Sequence, residues 1–444
     1  MGVSNAATSR ERSRSRGRDE SVVPIINIAA LLGTDATARK DVAKAIGQAC
    51  EDIGFFVVVN HGIPSEVVDR AWSQTLGFFD LPLDEKKKYI SEDEAKNPYG
   101  YSVLGGEQLS RGKEVDGGSK TASAGDLKEM FQMGPKDAAA GMPPRKLPDQ
   151  PSDMAAAWEE YYDHANQLAQ RLLQAFAIAL ELPEDWFVGK TDRHVSALRS
   201  NNYPDQAGMV VPAGSIRCSA HTDYGTMTIL RSGGPGLQVS KDKENPLWHD
   251  VPFVENGFVI NLGDLMRRWT NERWSSTLHR VVNPPAEKAA AWGRRLAMAF
   301  FHNLNKDAVV EAIPSCVSES RPALYDPIVA GEFLMLKHLA SNGKADPAAS
   351  SWQVQLVGKK RQCDDISQKW AGAAPPPLRV VCEEYLPRCL RAAIVDMAMG
   401  CITHGDPILG WNIHLPPLMF TRGSGFSPTA TWGWTNRRKP PNQI

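Results

Sequence analysis

The chain has 444 residues, a formal net charge of −1 and an apolar fraction of 42%. A near-neutral chain has no global field that attracts nucleic acid or an acidic membrane surface, so we expect neither as a partner. No apolar run reaches the length of a membrane span, the N-terminus carries no hydrophobic signal core, and the seven cysteines show no paired spacing. These observations predict a cytoplasmic protein with reduced thiols.

Residues 1–21 are predicted to be a disordered tail. Their arginines alternate with serine, glycine and acidic residues: Arg10, Arg12, Arg14, Arg16 and Arg18. Such a segment cannot bury enough apolar surface to order itself.

Residues 22–135 are predicted to form an N-terminal region of helices and leading strands. The run VVPIINIAAL is β-rich, and the apolar spacing in DATARKDVAKAIGQACEDIG predicts a helix that ends at Gly54. The apolar run at 55–59 predicts a buried strand. A further helix is predicted over 65–79, another begins in LPLDEKKKY, and the polar stretch 105–125 is predicted to be a loop.

The remainder is predicted to contain a helical segment, a β core and an extension. Residues 136–193 are predicted as a loop and a long helix over 153–182. Residues 194–304 are predicted as the core, because short β-type runs separated by turn residues indicate an antiparallel sandwich or jelly roll. Those runs lie at 196–203, 226–230, 236–239, 257–261, 278–282 and 295–302. A C-terminal region at 305–342 includes a helix near 327–341, and 343–444 is an extension of unknown structure.

Three metal-ligand candidates lie within the predicted β core. His221 and Asp223 precede an apolar run in AHTDYGTMTIL, and His279 follows in STLHRVVNPP. Residues i and i+2 of a strand point to the same face, so His221 and Asp223 are expected to reach one ion from one strand end. Two imidazoles and one carboxylate that leave three positions open are the facial triad of non-haem Fe(II) oxygenases.

The context of this motif distinguishes it from a chance match. A second H-x-D, at His404 and Asp406, is followed by no β run and no arginine-led strand, so we interpret it as a coincidence. After His279, by contrast, Arg295 opens the run RLAMAFF. An arginine there provides a fixed cation for the far carboxylate of a co-substrate such as 2-oxoglutarate.

Ordered blocks across most of the chain carry a family resemblance. They are VPIINIAAL, GFFVVVNHGIP, FFDLPLDEKKKY, DLKEMFQMG, LRSNNYP, HTDYGTMTIL, GLQV, FVINLGDLMRRWTN, STLHRVVNP and RLAMAFF. From about Val23 to Ser341 the chain resembles the isopenicillin N synthase-like group of Fe(II)/2-oxoglutarate-dependent dioxygenases. The resemblance implies an α+β protein with a mainly β core, a double-stranded β-helix (jelly roll) with flanking helices. It also implies that His221, Asp223 and His279 are the iron ligands, whereas His61 in NHGIP is similar to a turn residue and is excluded.

The resemblance further implies the co-substrate residues. Arg295 matches the arginine that pairs with the C5 carboxylate of 2-oxoglutarate, and Asn201 and Tyr203 match positions that line its pocket. The family pattern is Arg-x-Ser, but this chain has Ala297 in place of the serine. Loss of that hydroxyl removes a hydrogen bond to a charged group, worth about 1.5–3 kcal/mol. The segment AEKAAAWG before Arg295 is predicted to be a turn, and Arg294 is an alternative anchor.

The function that these features predict is a cytoplasmic, monomeric oxidoreductase of secondary metabolism. With Fe(II), 2-oxoglutarate as co-substrate and O2, it would hydroxylate, desaturate or cyclise a small organic metabolite and release succinate and CO2. By family position or proximity, four residues are candidates for lining the pocket, and each is equally compatible with the core: Phe131, Met133, Ile229 and Trp269. One alternative is a 2-oxoglutarate-independent iron oxidase, in which Arg295 would hold a substrate carboxylate. Others are a non-catalytic small-molecule-binding protein on the same barrel and an interaction role for either end of the chain.

Overall fold

The computed structural model describes residues 21–92, 97–107, 126–136, 143, 145–212 and 214–341. The chain divides into two units, Met1–Pro375 and Pro376–Ile444, and every described residue lies in the first. The predicted tail apart from Ser21, most of the predicted loop at 105–125, the extension from 343 and the second H-x-D all lie outside the described residues.

Eight α-helices are present in the described part of the chain. The first begins after Asp35, whose carboxylate accepts hydrogen bonds from the backbone N–H groups of Thr37 and Ala38, and ends just before Gly54, which has a φ of 69°. The helices are α1 (Ala36–Asp52), α2 (Ser65–Phe79), α3 (Leu83–Lys87), α4 (Met154–Ala179), α5 (Val188–Thr191), α6 (Asp264–Trp269), α7 (Ala289–Trp292) and α8 (Ala330–Ser341). None of the helices described is both long and apolar enough to cross a membrane.

Fourteen strands are found in the same described residues. They are β1 (Ile25–Asn27), β2 (Phe55–Val59), β3 (Gly100–Ser102), β4 (Glu129–Met133), β5 (Ala197–Tyr203), β6 (Cys218–His221), β7 (Met227–Ser232), β8 (Leu237–Ser240), β9 (His249–Asp250), β10 (Phe258–Leu262), β11 (Leu278–Val281), β12 (Arg295–His302), β13 (Val309–Val310) and β14 (Ile328–Val329).

Two sheets form the core. The large sheet has the order β1-β2-β10-β7-β12-β5-β4-β3, and the small sheet has the order β6-β11-β8-β9. Apart from the parallel β1–β2 pair, the pairings are antiparallel. Because consecutive strands β5 to β8 alternate between the two sheets, the chain winds as a double-stranded β-helix. The predicted fold class is therefore confirmed.

Within the described residues, two apolar clusters define the layers on either side of the large sheet. An inner cluster draws Val57, Val259 and Ala297 from the large sheet and Val239 and Val281 from the small sheet, so it lies between the two sheets. An outer cluster joins the opposite face of the large sheet to α1, α2 and α4. The side chains of both sheets converge on the inner side, between the two sheets.

The predicted elements differ from the structure in a few places. The segment predicted to be a turn before Arg295 contains a 3-10 turn at Ala286–Lys288 followed by α7, because its run of alanines favours helix. The last helix begins at Ala330 rather than near 327, since Ile328–Val329 forms β14. The short elements α5, α6, β9 and β13 are not signalled by any long periodic pattern.

Candidate metal centre

His221 and His279 face each other across two neighbouring strands. The last residue of β6, His221, lies directly opposite His279 of β11, and their ring centroids are 4.2 Å apart. Antiparallel pairing therefore brings together two imidazoles that are far apart in the sequence.

Asp223 completes the cluster from the turn that follows β6. One carboxylate oxygen, Oδ1, lies 3.7 Å from Nε2 of His221 and 3.6 Å from Nε2 of His279. The ligand atoms of the three residues all lie within 4.8 Å of one another, and among the described residues no other set of three metal-binding side chains is grouped in this way. The sequence predicted that His221 and Asp223 lie on one strand, at positions i and i+2. In the structure Asp223 lies outside the strands, because β6 ends at His221 and β7 begins only at Met227.

Hydrogen bonds orient each of the three side chains. The other carboxylate oxygen of Asp223, Oδ2, accepts from Nδ2 of Asn261 at 2.7 Å and from the hydroxyl of Thr228. Nδ1 of His221 lies 2.8 Å from the carbonyl oxygen of Ser219, and Nδ1 of His279 lies 3.1 Å from that of Thr277. Since a carbonyl oxygen only accepts, these bonds assign the proton to Nδ1 and leave each Nε2 lone pair directed into the cluster.

The electrostatic environment favours the protonation states that a metal requires. Burial, followed by the neighbouring His221, lowers the pKa of His279 to about 4, and burial likewise lowers the pKa of His221. Burial raises the pKa of Asp223, but the two imidazoles, Asn261 and Thr228 together bring it below its usual value. The cluster therefore presents two neutral imidazoles and one carboxylate near neutral pH.

The turn that carries Asp223 is held by the start of α6. The backbone N–H of Asp264 donates to the carbonyl of Asp223 at 2.8 Å, and the hydroxyl of Thr222 donates to the Asp264 carboxylate at 3.2 Å. That buried carboxylate also pairs with Lys337 of α8 at 3.1 Å. A Cβ added at Gly263 would lie 2.2 Å from a backbone oxygen of the turn, so only glycine permits this close approach.

Arg295 lies at the start of β12 with its guanidinium fully buried. Nη2 donates to the hydroxyl of Ser232 at 2.7 Å and Nε donates to the carbonyl of Gly234 at 3.3 Å. Nη1 has no hydrogen-bond partner within the described part of the chain. The ring of Tyr203, which is paired with Arg295 in the sheet, lies 5.2 Å from the guanidinium carbon.

The hydroxyl that the sequence lacks at Ala297 is present on the adjacent strand. Ser232 of β7 lies opposite Ala297 of β12, and its hydroxyl both accepts from Arg295 and donates to the carbonyl of Gly234 at 2.9 Å. No local sequence signal links Ser232 to Arg295, because the two are 63 positions apart. The role of Ser232 becomes visible once the pairing of β7 with β12 is known.

The structure places Asn201 near Arg295, whereas Arg294 and His61 lie in other environments. Asn201 lies opposite Ala297 on β5, two residues from Tyr203, and its Oδ1 atom is buried without a partner in the described residues. Arg294 bonds Asn202 and Asp80 and so does not share the environment of Arg295. In His61, Nδ1 accepts from the backbone N–H of Ile63 in its own turn, and Nε2 lies 2.9 Å from the backbone carbonyl oxygen of Asn256, just before β10.

For the four residues interpreted as either pocket lining or core, the structure supports the core. All four are buried in the outer cluster, which packs the large sheet against the helices, and none belongs to the inner cluster: Phe131, Met133, Ile229 and Trp269.

The two donor sets fit a metal and an anionic co-substrate. Two imidazole nitrogens and a carboxylate oxygen around one point match Fe(II), and they leave coordination positions for other ligands. The buried guanidinium of Arg295 with its unpartnered Nη1 matches a carboxylate, because a desolvated N–H donor without an acceptor is costly.

Comparisons with known proteins agree with this geometry. The 2OG-Fe(II) oxygenase superfamily model matches residues 195–304, and the model for the N-terminal region of non-haem dioxygenases in morphine synthesis matches 23–161. A 2-oxoglutarate-dependent dioxygenase of a Dothideomycetidae species is 35% identical over 64% of this chain and 89% of its own length. A proline hydroxylase of Petromyces alliaceus is 31% identical, over 62% of this chain and 86% of its own. The crystal structure of a Neurospora crassa protein in complex with alpha-KG and thymine is similar with a TM-score of 0.63 and 28% identity, covering 73% of this chain and 98% of that one.

Proposed function

Because this chain belongs to the 2OG-Fe(II) oxygenase superfamily, we propose that His221, Asp223 and His279 hold its Fe(II) and that Arg295 holds the far carboxylate of 2-oxoglutarate. The chain is a 2-oxoglutarate-dependent oxidoreductase that uses Fe(II) and O2. The observation that carries the assignment of residues is the grouping of three ligand atoms within 4.8 Å of one another. The buried, partly unpaired guanidinium on β12 supports the assignment of Arg295.

When bound, Fe(II) and 2-oxoglutarate supply oxidative decarboxylation, which couples the release of succinate and CO2 to oxidation of a second substrate. The protein's own part is to position these groups. Asn261 and Thr228 fix one oxygen of Asp223 so that the other faces the two imidazoles. Ser232 and Gly234 fix Arg295, which leaves its Nη1 to donate to a carboxylate. Asn201 and Tyr203 lie on β5, which pairs with β12, and would line the pocket between the metal ligands and Arg295.

The second substrate is proposed to be a small organic metabolite that is hydroxylated, desaturated or cyclised. The names of relatives support this class, since they include a proline hydroxylase and a validamycin A dioxygenase. A net charge of −1 gives no support for a nucleic-acid partner. We propose a monomer acting in the cytoplasm, and the free, buried thiols Cys50, Cys218 and Cys316 are consistent with a reducing compartment.

A 2-oxoglutarate-independent oxidase and a non-catalytic binding protein are less favoured than this function. The matching relatives include several with 2-oxoglutarate in their names, and the three ligand side chains are all in place. Formation of succinate only when 2-oxoglutarate is added would exclude both alternatives.

The residue assignment is tested by adding Fe(II) and 2-oxoglutarate without oxygen and recording the visible absorption of the chelate. The wild-type chain is expected to develop the band, and Asp223→Ala and His279→Ala are expected to lose it. Asp250→Ala, which removes an exposed carboxylate on β9, is the matched control and should keep it. A band of unchanged intensity in Asp223→Ala would overturn the assignment.

A further inference from the structure

A second buried arginine lies near the proposed co-substrate site and has no assigned role. Arg217 precedes β6 by one residue and is completely buried. Its Nη2 donates to the carbonyl of Gly293 at 2.7 Å, whereas Nε and Nη1 have no partner among the described residues. A buried guanidinium with two unpaired N–H groups is costly, so a protein keeps one only where something compensates for it.

The position of Arg217 relates it to Arg295. Gly293, which accepts its hydrogen bond, lies two residues before Arg295 at the start of β12. Burial lowers the pKa of Arg217, and the nearby positive charge of Arg295 lowers it further, while Tyr203 acts in the opposite direction. The bond to Gly293 thus places the Arg217 guanidinium at the start of β12, where Arg295 and its strand neighbour Tyr203 also lie.

The protein provides little negative charge to balance this pair. No salt bridge joins either guanidinium to a carboxylate in the described part of the chain, and the acidic residue that acts on Arg217, Asp205, is exposed. The buried carboxylates of Glu107 and Asp126 pair instead with Lys128. Two buried cations with three unpaired nitrogens between them thus lack an anion.

We propose that Arg217 is a second binding residue for the distal carboxylate of 2-oxoglutarate, acting together with Arg295. The inference rests on the proposed function, in which Arg295 holds that carboxylate. A carboxylate accepts about four hydrogen bonds, so it can receive Nη1 of Arg295 and at least one free nitrogen of Arg217. The ligand class is a dicarboxylate 2-oxo acid, and the second cation makes the pocket select strongly against 2-oxo acids that lack the distal charge.

The test compares two ligands of the same carbon length, 2-oxoglutarate and 2-oxopentanoate, which has a methyl group in place of the distal carboxylate. Binding is measured by calorimetry on the full chain with Mn(II) in place of Fe(II). Arg217→Met is expected to raise the Kd for 2-oxoglutarate at least about tenfold, the effect of losing one charge-assisted hydrogen bond, and to leave 2-oxopentanoate unchanged. Arg217→Lys keeps the charge and should recover part of the affinity.

Two controls separate this role from others. Arg280→Met removes a half-buried arginine that stacks on Trp248 and should change neither Kd. The melting temperature of the ligand-free chain should change little in Arg217→Met, because the loss of two unpaired buried donors offsets the loss of the bond to Gly293. A lower melting temperature with equal loss for both ligands, or an unchanged Kd for 2-oxoglutarate, would overturn the proposal. If Arg295→Met raises the Kd for 2-oxoglutarate and Arg217→Met does not, the inference fails and the proposed function stands. If the wild type does not bind 2-oxoglutarate, the proposed function itself fails.

Discussion

Replacement of Ser232 by alanine removes the hydroxyl that positions Arg295. The bond between Nη2 of Arg295 and this hydroxyl is 2.7 Å long and buried, and the hydroxyl is anchored in turn on the carbonyl of Gly234. A hydrogen bond to a charged group contributes about 1.5–3 kcal/mol. Arg295 keeps its second bond, from Nε to Gly234, so we expect the lower end of this range in Ser232→Ala.

The expected magnitude is a Kd for 2-oxoglutarate raised about tenfold, since about 1.4 kcal/mol corresponds to a factor of ten. The assay is an anaerobic titration of the Fe(II)-loaded chain with 2-oxoglutarate. Ser200→Ala is the matched control, because Ser200 is a buried β5 serine whose hydroxyl has no partner within the described residues. Its removal should leave the Kd unchanged.

A second substitution tests whether a hydroxyl at another position can replace that of Ser232 in binding 2-oxoglutarate. Ala297 lies opposite Ser232 and two residues from Arg295, so Ala297→Ser places a hydroxyl on the face of β12 that carries Arg295. The double variant Ser232→Ala/Ala297→Ser is expected to recover most of the lost affinity. A wild-type Kd in Ser232→Ala, or no recovery in the double variant, would show that the Ser232 hydroxyl does not position Arg295.

Three further substitutions test other parts of the structure. Asn261→Leu removes the amide that orients Asp223 and should weaken Fe(II) binding about 10- to 100-fold in a metal titration; unchanged affinity would contradict the role of this bond. Lys337→Met removes the nearest cation from the buried carboxylate of Asp264, which keeps its bonds from Thr222 and Ser276. The change should lower the free energy of unfolding in urea by about 3 kcal/mol, the lower end of the range for a broken buried pair, because Arg267 remains at 4.0 Å. A change below about 1 kcal/mol would show that the pair does not stabilise the turn. Trp158→Ala opens a cavity in the outer cluster and should cost about 3–5 kcal/mol in the same measurement without changing the Kd for 2-oxoglutarate.

Long patterned elements could be predicted from the sequence. The helix over 65–79 and the strand over 55–59 occur at the predicted residues, because periodicity and turn residues are local signals. The strands that carry Arg295 and His279 were predicted for the same reason. The grouping of His221, Asp223 and His279 followed from the motif, its β context and the family resemblance.

Other features could not be predicted because they depend on contacts across the fold. Ile229 was a pocket candidate, but it packs in the outer cluster. Its strand is covered by helices on one face and by the second sheet on the other, so both faces are apolar. Periodicity therefore cannot show which face Ile229 occupies. Ser232 lies beside the Arg295 strand because β7 pairs with β12. Arg217 contacts the start of that strand through its bond to Gly293, 76 residues away in the sequence. Short elements such as α6 are set by close backbone contacts at Gly263 rather than by an apolar pattern.

If His221, Asp223 and His279 hold Fe(II), consumption of 2-oxoglutarate requires all three side chains. This is tested by measuring the Fe(II)-dependent conversion of 2-oxoglutarate into succinate and CO2 under air, in the wild type and in His279→Ala. The wild type is expected to form equal amounts of succinate and CO2, and the variant none above background. Conversion that persists in His279→Ala, or oxygen consumption by the wild type that does not depend on 2-oxoglutarate, would contradict it.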